Sequence, residues 1–137
     1  MRRSAEAVAD LLLDSGVSRV RLLEIEWAHP AVCSEVDSPA GTPTVLLYAH
    51  HDVQAPGPAE EWDSAPFEAT ERDGRLRGRG AADDKAGVVL HAAAIRAFDG
   101  AIPVGVKLFI EGEDEVSSTN VDAFIHGYGD LLAADVW

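Results

Sequence analysis

Only one cysteine occurs in the chain, Cys33, so no disulfide can close within it. A lone thiol suits a reducing compartment, and with no motif around it Cys33 reads as a structural group on a strand. Basic residues are scarce as well. Lys and Arg number 11 against 24 Asp and Glu, which leaves a formal charge of −13. Such a field repels phosphate backbones and argues against a nucleic-acid partner. No apolar run approaches the ~18 residues that a membrane span needs, and Met1-Arg2-Arg3 leads into no signal-peptide core. These absences together point to a cytoplasmic protein with no membrane role. Internal repeats and low-complexity tracts are missing too.

What remains is an ordinary globular composition, 47% hydrophobic and 26% charged over 137 residues. That length suits one domain with its own core and is short for two. Residues 4–14 place Ala5, Val8, Leu11 and Leu12 on one helical face, with Gly16 as the stop. A strand is expected over 17–26, with Val20 and Leu22 on one side. Its alternation is imperfect, because Leu23 and Ile25 fall on the side of Arg19 and Arg21. A second strand is expected over 31–36, turn chemistry over 37–43, and a strand buried on both faces over 44–49. From 50 to 80 the periodicity dissolves into a Pro-, Gly- and acid-rich segment of the length that usually carries function. It returns as an alanine-rich helix over 84–98 and a buried strand over 103–110. An acidic loop over 111–120, short helical stretches over 121–126 and 131–134, and a strand barely begun at Val136-Trp137 complete the chain. Strands alternating with helices predict a layered α/β fold. Ending on the first residues of an apolar strand reads as truncation.

Three polar clusters sit where such folds bind ligands, just beyond the carboxyl ends of strands or at a helix start. The first is His50-His51-Asp52. Residues two apart in an extended stretch share a side, so His50 and Asp52 converge while His51 points away. A metal-ligating imidazole commonly gives its other N–H to a carboxylate. The second is Gly78-Arg79-Gly80-Ala81-Ala82-Asp83-Asp84-Lys85, in which two adjacent aspartates exceed what helix capping requires. The third is Glu111-Gly112-Glu113-Asp114-Glu115, which lacks the spacing of an EF-hand calcium loop. Singly, these read as a strand end, a cap and a solvated loop. Together they offer a histidine, an aspartate and a glutamate from separate elements, a set suited to paired zinc ions ~3.5–4 Å apart.

His50-x-Asp52-Val53-Gln54, Trp62, Pro66-Phe67, Asp73-Gly74-Arg75-Leu76, Gly78-Arg79-Gly80-Ala81-Ala82-Asp83-Asp84-Lys85 and Glu111-Gly112-x-x-Glu115 occur in a telling order. They resemble the carnosinase, aminoacylase and glutamate-carboxypeptidase family of co-catalytic zinc peptidases, nearest its cytosolic dipeptidase branch. The resemblance runs over residues 5–137. It implies an α/β/α layered catalytic domain with a mixed, largely parallel sheet, incomplete here, and hydrolysis of an amide bond in dipeptides or N-acyl amino acids. By the same resemblance His50 ligates one of two Zn2+ ions and Asp52 orients it. Asp83 bridges both metals, through a peptide bond to Asp84 that is often cis in relatives. Glu115 ligates the second ion. The general base falls at Asp114, where relatives carry glutamate.

The departures matter as much as the matches. Aspartate is one methylene shorter, and a ~1 Å misplacement of a catalytic group can cost ~100-fold. Glu113 would substitute only if the loop shifted by one residue. A family glycine is replaced by Ser117, which is strained if that position needs a positive φ. The resemblance also places one further ligand per zinc, and a lid domain that often forms a homodimer, beyond residue 137. Residues 1–137 are therefore expected to be part of a catalytic domain that binds metal poorly and turns over little alone. The alternative is a truncated, inactive remnant that at most binds metal or a partner. His29, His91 and His126 read as structural or surface residues, with His126 one helical turn beyond Asp122.

Overall fold

A computed structural model describes residues 1–37 and 39–137, so Ser38 of the expected 37–43 turn lies outside the described residues. Helix α1 (Arg2–Asp14) starts the chain and stops where Gly16 takes a φ of 95°. Four strands form the main sheet in the order β1-β2-β6-β3, from β1 (Arg19–Leu23), β2 (Ala31–Val36), β3 (Thr44–His50) and β6 (Gly105–Glu111). A second helix, α2 (Lys85–Ala97), precedes β6, and α3 (Val121–Leu132) follows it.

The sheet is mixed, with a smaller parallel share than the resemblance implies. β1 pairs antiparallel with β2, and β2 antiparallel with β6. Only residues 24–30 join β1 to β2, too few for the crossover that parallel neighbours need. Parallel pairing is seen between β3 and β6, with Tyr48 opposite Phe109 and His50 opposite Glu111. It continues at the outer edge of β3, where Val136 bridges to Val45 and accepts a 2.8 Å bond from Leu46 N. That bridge falls where the incipient strand was expected.

Helices cover both faces, which makes three layers. Ala5, Val8 and Leu12 of α1 and Val88, Ala92 and Ile95 of α2 bury Val32, Ala49, Leu108 and Ile110. Phe124 and Leu132 of α3 bury Leu23, Cys33, Leu46 and Phe109 on the other face. Each fully buried leucine contributes roughly 1.5–3 kcal/mol. Double coverage explains the imperfect alternation of β1. Val20 and Leu22 pack toward α1, whereas Leu23 and Ile25 pack toward α3. Cys33 lies buried under α3, and burial holds its thiol up at about 11, so it is protonated and inert near neutral pH.

The stretches 121–126 and 131–134 fall in α3, whose backbone is non-helical at Tyr128 (φ −127°, ψ 22°), so two helical pieces meet there across a kink and the second ends at Leu132. Gly127 and Gly129 flank the break, which suits glycine's poor helix propensity. One local expectation needs revision: the segment 50–80 is less formless than its composition suggests. It contains a hairpin of β4 (Thr70–Arg72) and β5 (Arg75–Arg77), turned by Asp73 and Gly74 at φ 55° and 70°. Asp-Gly at such a turn is a strong hairpin signal. Between this hairpin and α2 runs an apolar groove of about 690 Å³ lined by Val53, Phe67, Leu76, Val89 and Leu90.

Candidate metal centre

The carboxyl end of β3 runs on extended, so its side chains alternate. His50, Asp52 and Gln54 reach one side, toward the acidic turn after β6. His51 goes the other way and Val53 lines the apolar groove. His50 is only 6% exposed. Its Nδ1 lies 3.1 Å from Asp52 Oδ1, and its Nε2 lies 3.0 Å from Asp83 Oδ1 and 3.6 Å from Asp114 Oδ2. Burial opposes protonation of this ring. The bond to Asp83, the charge of Asp114 and the bond to Asp52 outweigh it, and the pKa of His50 is raised.

Asp83 and Asp84 are joined by a cis peptide bond, and the two carboxylates part company. Asp84 caps α2, accepting from Gly87 N at 3.1 Å, while its other oxygen accepts from His50 N at 3.3 Å. A β-carbon on residue 87 would stand 2.3 Å from Asp84 Oδ1, so the cap requires glycine there. Asp83 instead turns its exposed carboxylate to His50. Glu115 arrives from the turn after β6, where Asp52 Oδ2 accepts its N–H at 2.9 Å. One candidate ligand atom from each of His50, Asp83 and Glu115 falls in a group with all separations within 4.8 Å. An imidazole and two carboxylates converging from three elements fit a zinc-like divalent ion. Asp52 ties two of these elements together, since one oxygen faces His50 and the other holds the Glu115 backbone.

The acidic turn is anchored residue by residue. Glu111 is buried and accepts from Ser118 Oγ at 2.9 Å and from the Tyr48 hydroxyl. The same hydroxyl lies 2.8 Å from Asp114 Oδ1. Burial and these two carboxylates push the Tyr48 phenol far above its ordinary value. Glu113 points away from the cluster and accepts from His29 N and Asn120 Nδ2, both at 2.8 Å. Asp114, not Glu113, therefore borders His50. Ser117 sits in the left-handed region at φ 73°, a conformation that costs a non-glycine residue roughly 1–2 kcal/mol.

His51 packs beneath the turn instead of joining the cluster. Its Nε2 lies 2.8 Å from the Pro30 carbonyl, and its buried Nδ1 has no partner among the described residues. Burial outweighs the carbonyl's pull and lowers its pKa, so the ring is neutral. Gly112 makes room for it: a β-carbon there would lie 2.8 Å from His51 Cε1 and 2.9 Å from Pro30 O. His91 reaches the Tyr48 carbonyl at 2.9 Å, and His126 reaches the carbonyl of Asp122 at 2.6 Å. Neither belongs to the group of His50, Asp83 and Glu115. Sequence reasoning overlooked Tyr48 and Gln54 as site neighbours. Their spacing of two from His50 and Asp52 was the available signal.

This fold brings together a donor set of the kind metallopeptidases use. The family model described as Peptidase family M20/M25/M40 matches residues 46–136, and the chain belongs to that family. It is 39% identical over 105 residues to a cysteinylglycine-S-conjugate dipeptidase of Corynebacterium striatum, covering 74% of this chain and 23% of the relative. It is 36% identical over 111 residues to a succinyl-diaminopimelate desuccinylase of Acidovorax ebreus (strain TPSY), covering 79% and 28%. Among solved structures, an M20 family metallo-carboxypeptidase from Sulfolobus solfataricus superposes with a TM-score of 0.84 at 35% identity. That match covers 98% of this chain and 30% of the other. The chain thus spans less than a third of the length of each of these three proteins.

Proposed function

We propose that residues 1–137 are part of the catalytic domain of a metal-dependent amide hydrolase acting on dipeptides or N-acyl amino acids. The observation that carries this reading is the convergence of His50, Asp83 and Glu115 within 4.8 Å. Family membership and relatives named a dipeptidase and a desuccinylase support it. His50, Asp83 and Glu115 would hold Zn2+, with two ions in a protein of the relatives' size and Asp83 shared between them. When bound, the metal lowers the pKa of its water and polarises the amide carbonyl. The chain's own residues do the rest. Asp52 fixes the His50 ring so that Nε2 faces the cluster. Asp114, at the rim, takes a proton on its carboxylate and returns it to the leaving amine. Tyr48 holds that carboxylate by Oδ1.

In a protein of the relatives' length the same proposal would add a lid domain and a homodimer interface, and the free, buried Cys33 suits the cytoplasm. A second reading is favoured by two observations, the short Asp114 and the left-handed Ser117: an inactive remnant that retains metal or partner binding at most. Hydrolysis of a dipeptide and N-acyl amino acid panel, with Zn2+ and with chelator, decides between them. Chelator-sensitive turnover supports the enzyme. Metal binding without turnover, in this chain and in any longer natural form, supports the remnant.

A further inference from the structure

We infer that Gln54 is a positioning residue that holds the Glu115 carboxylate ready for a metal ion. The inference rests on the metal reading above. Gln54 Nε2 donates to Glu115 Oε2 at 2.8 Å and to the Glu115 carbonyl at 3.0 Å. With Asp52 Oδ2 accepting the Glu115 N–H at 2.9 Å, residue 115 is held at three atoms by two side chains of the segment after β3. The arrangement follows from backbone period. His50, Asp52 and Gln54 are two apart and share a side, so one extended run supplies a ligand, the residue orienting that ligand, and the residue orienting another.

The chemistry of residue 54 fits the task. An amide nitrogen carries two N–H donors, which match a carbonyl oxygen and a carboxylate oxygen, and it adds no charge. A carboxylate has lone pairs for both the amide and a metal. Without the amide the turn would still be tied to Asp52 through its backbone, but the Glu115 side chain would swing freely. Partners that orient metal ligands in this way typically change metal affinity by about 10–100-fold. The bond to Oε2 is what distinguishes orienting a ligand from merely bracing a turn.

Gln54→Met tests this, because it keeps the side chain's length and removes both donors. Gln54 is exposed, so the metal-free chain should melt at an unchanged temperature. Cobalt(II) affinity is measured by competition with a coloured chelator, and the visible cobalt absorption reports the coordination. Affinity is expected to fall about 10–100-fold and the cobalt band to change intensity or position as Glu115 loses its fixed pose. His50→Ala and Glu115→Gln run alongside. If both weaken cobalt binding while Gln54→Met matches the unaltered chain in affinity and spectrum, the role of Gln54 is overturned and the metal reading stands. If neither affects cobalt binding, the metal reading fails and takes the Gln54 inference with it.

Discussion

His50 and His51 are adjacent at the end of β3, yet they inhabit opposite environments. On the His50 side, Asp52, Asp83 and Asp114 surround the ring within 3.6 Å and raise its pKa. On the His51 side, the ring is sealed beneath Gly112, bonded to the Pro30 carbonyl, and its pKa is lowered. One side collects charge at an accessible edge and the other excludes water. The difference teaches that a strand end can serve chemistry and packing at once, because successive side chains face different layers. It also separates two kinds of perturbation. Changes on the His50 side should alter metal and reaction, and changes on the His51 side should alter stability.

The strongest test of that separation removes the rings one at a time. His50→Ala is expected to weaken Zn2+ binding by more than about 100-fold, beyond the loss seen for indirect partners. His51→Ala should leave affinity within a few-fold and lower stability instead. Calorimetric titration and thermal melts of both variants check this, and reversed results would break the comparison. Next comes Asp114→Glu, placed in an active form of the protein. It restores the missing methylene and should raise amide turnover by about 10–100-fold with metal affinity unchanged. No rate increase would show that residue 114 is not the limiting group.

Gly112→Ala probes the packed side. The added carbon meets His51 and the Pro30 carbonyl at under 3.0 Å, and overpacking of this kind costs about 1–3 kcal/mol. A lower melting temperature with the metal-free fold retained is the expected result. The smallest effect is that of Ser117→Gly, which relieves a φ of 73° and should stabilise the chain by about 1 kcal/mol. Because Ser117 lies on the acidic turn, a gain there would show strain on the chemical side that the packed side lacks.

The legibility of the molecule follows the same divide. The run 44–49 and the helical faces of α1 and α2 could be read because local periodicity reports burial directly. His50 and Asp52 could be paired by the same period of two, as could their separation from His51. Leu23 and Ile25 could not be placed, since a strand covered on both faces carries no clean alternation. Gln54 and Tyr48 escaped for different reasons: one follows the strand's last regular residue, and the other sits inside an apolar run. The hairpin at Asp73-Gly74 carried its turn signal in the sequence, but it lay in a segment whose composition read as loop.

The order of polar clusters in the sequence determined which side chains could serve a metal and which strand ends would carry them. It also placed an aspartate at position 114 and a serine at position 117. Distances between clusters more than thirty residues apart are set by the pairing of β6 with β3 and the packing of α2 on the sheet, which no local pattern encodes. Tertiary structure decided what holds the residues that the resemblance left over: Glu113 turns to His29 and Asn120, leaving Asp114 beside His50. It likewise gave Asp84 the cap of α2 while Asp83 faces His50. The physical reason is that propensity acts between near neighbours, whereas convergence depends on which layers pack and how the backbone reaches them.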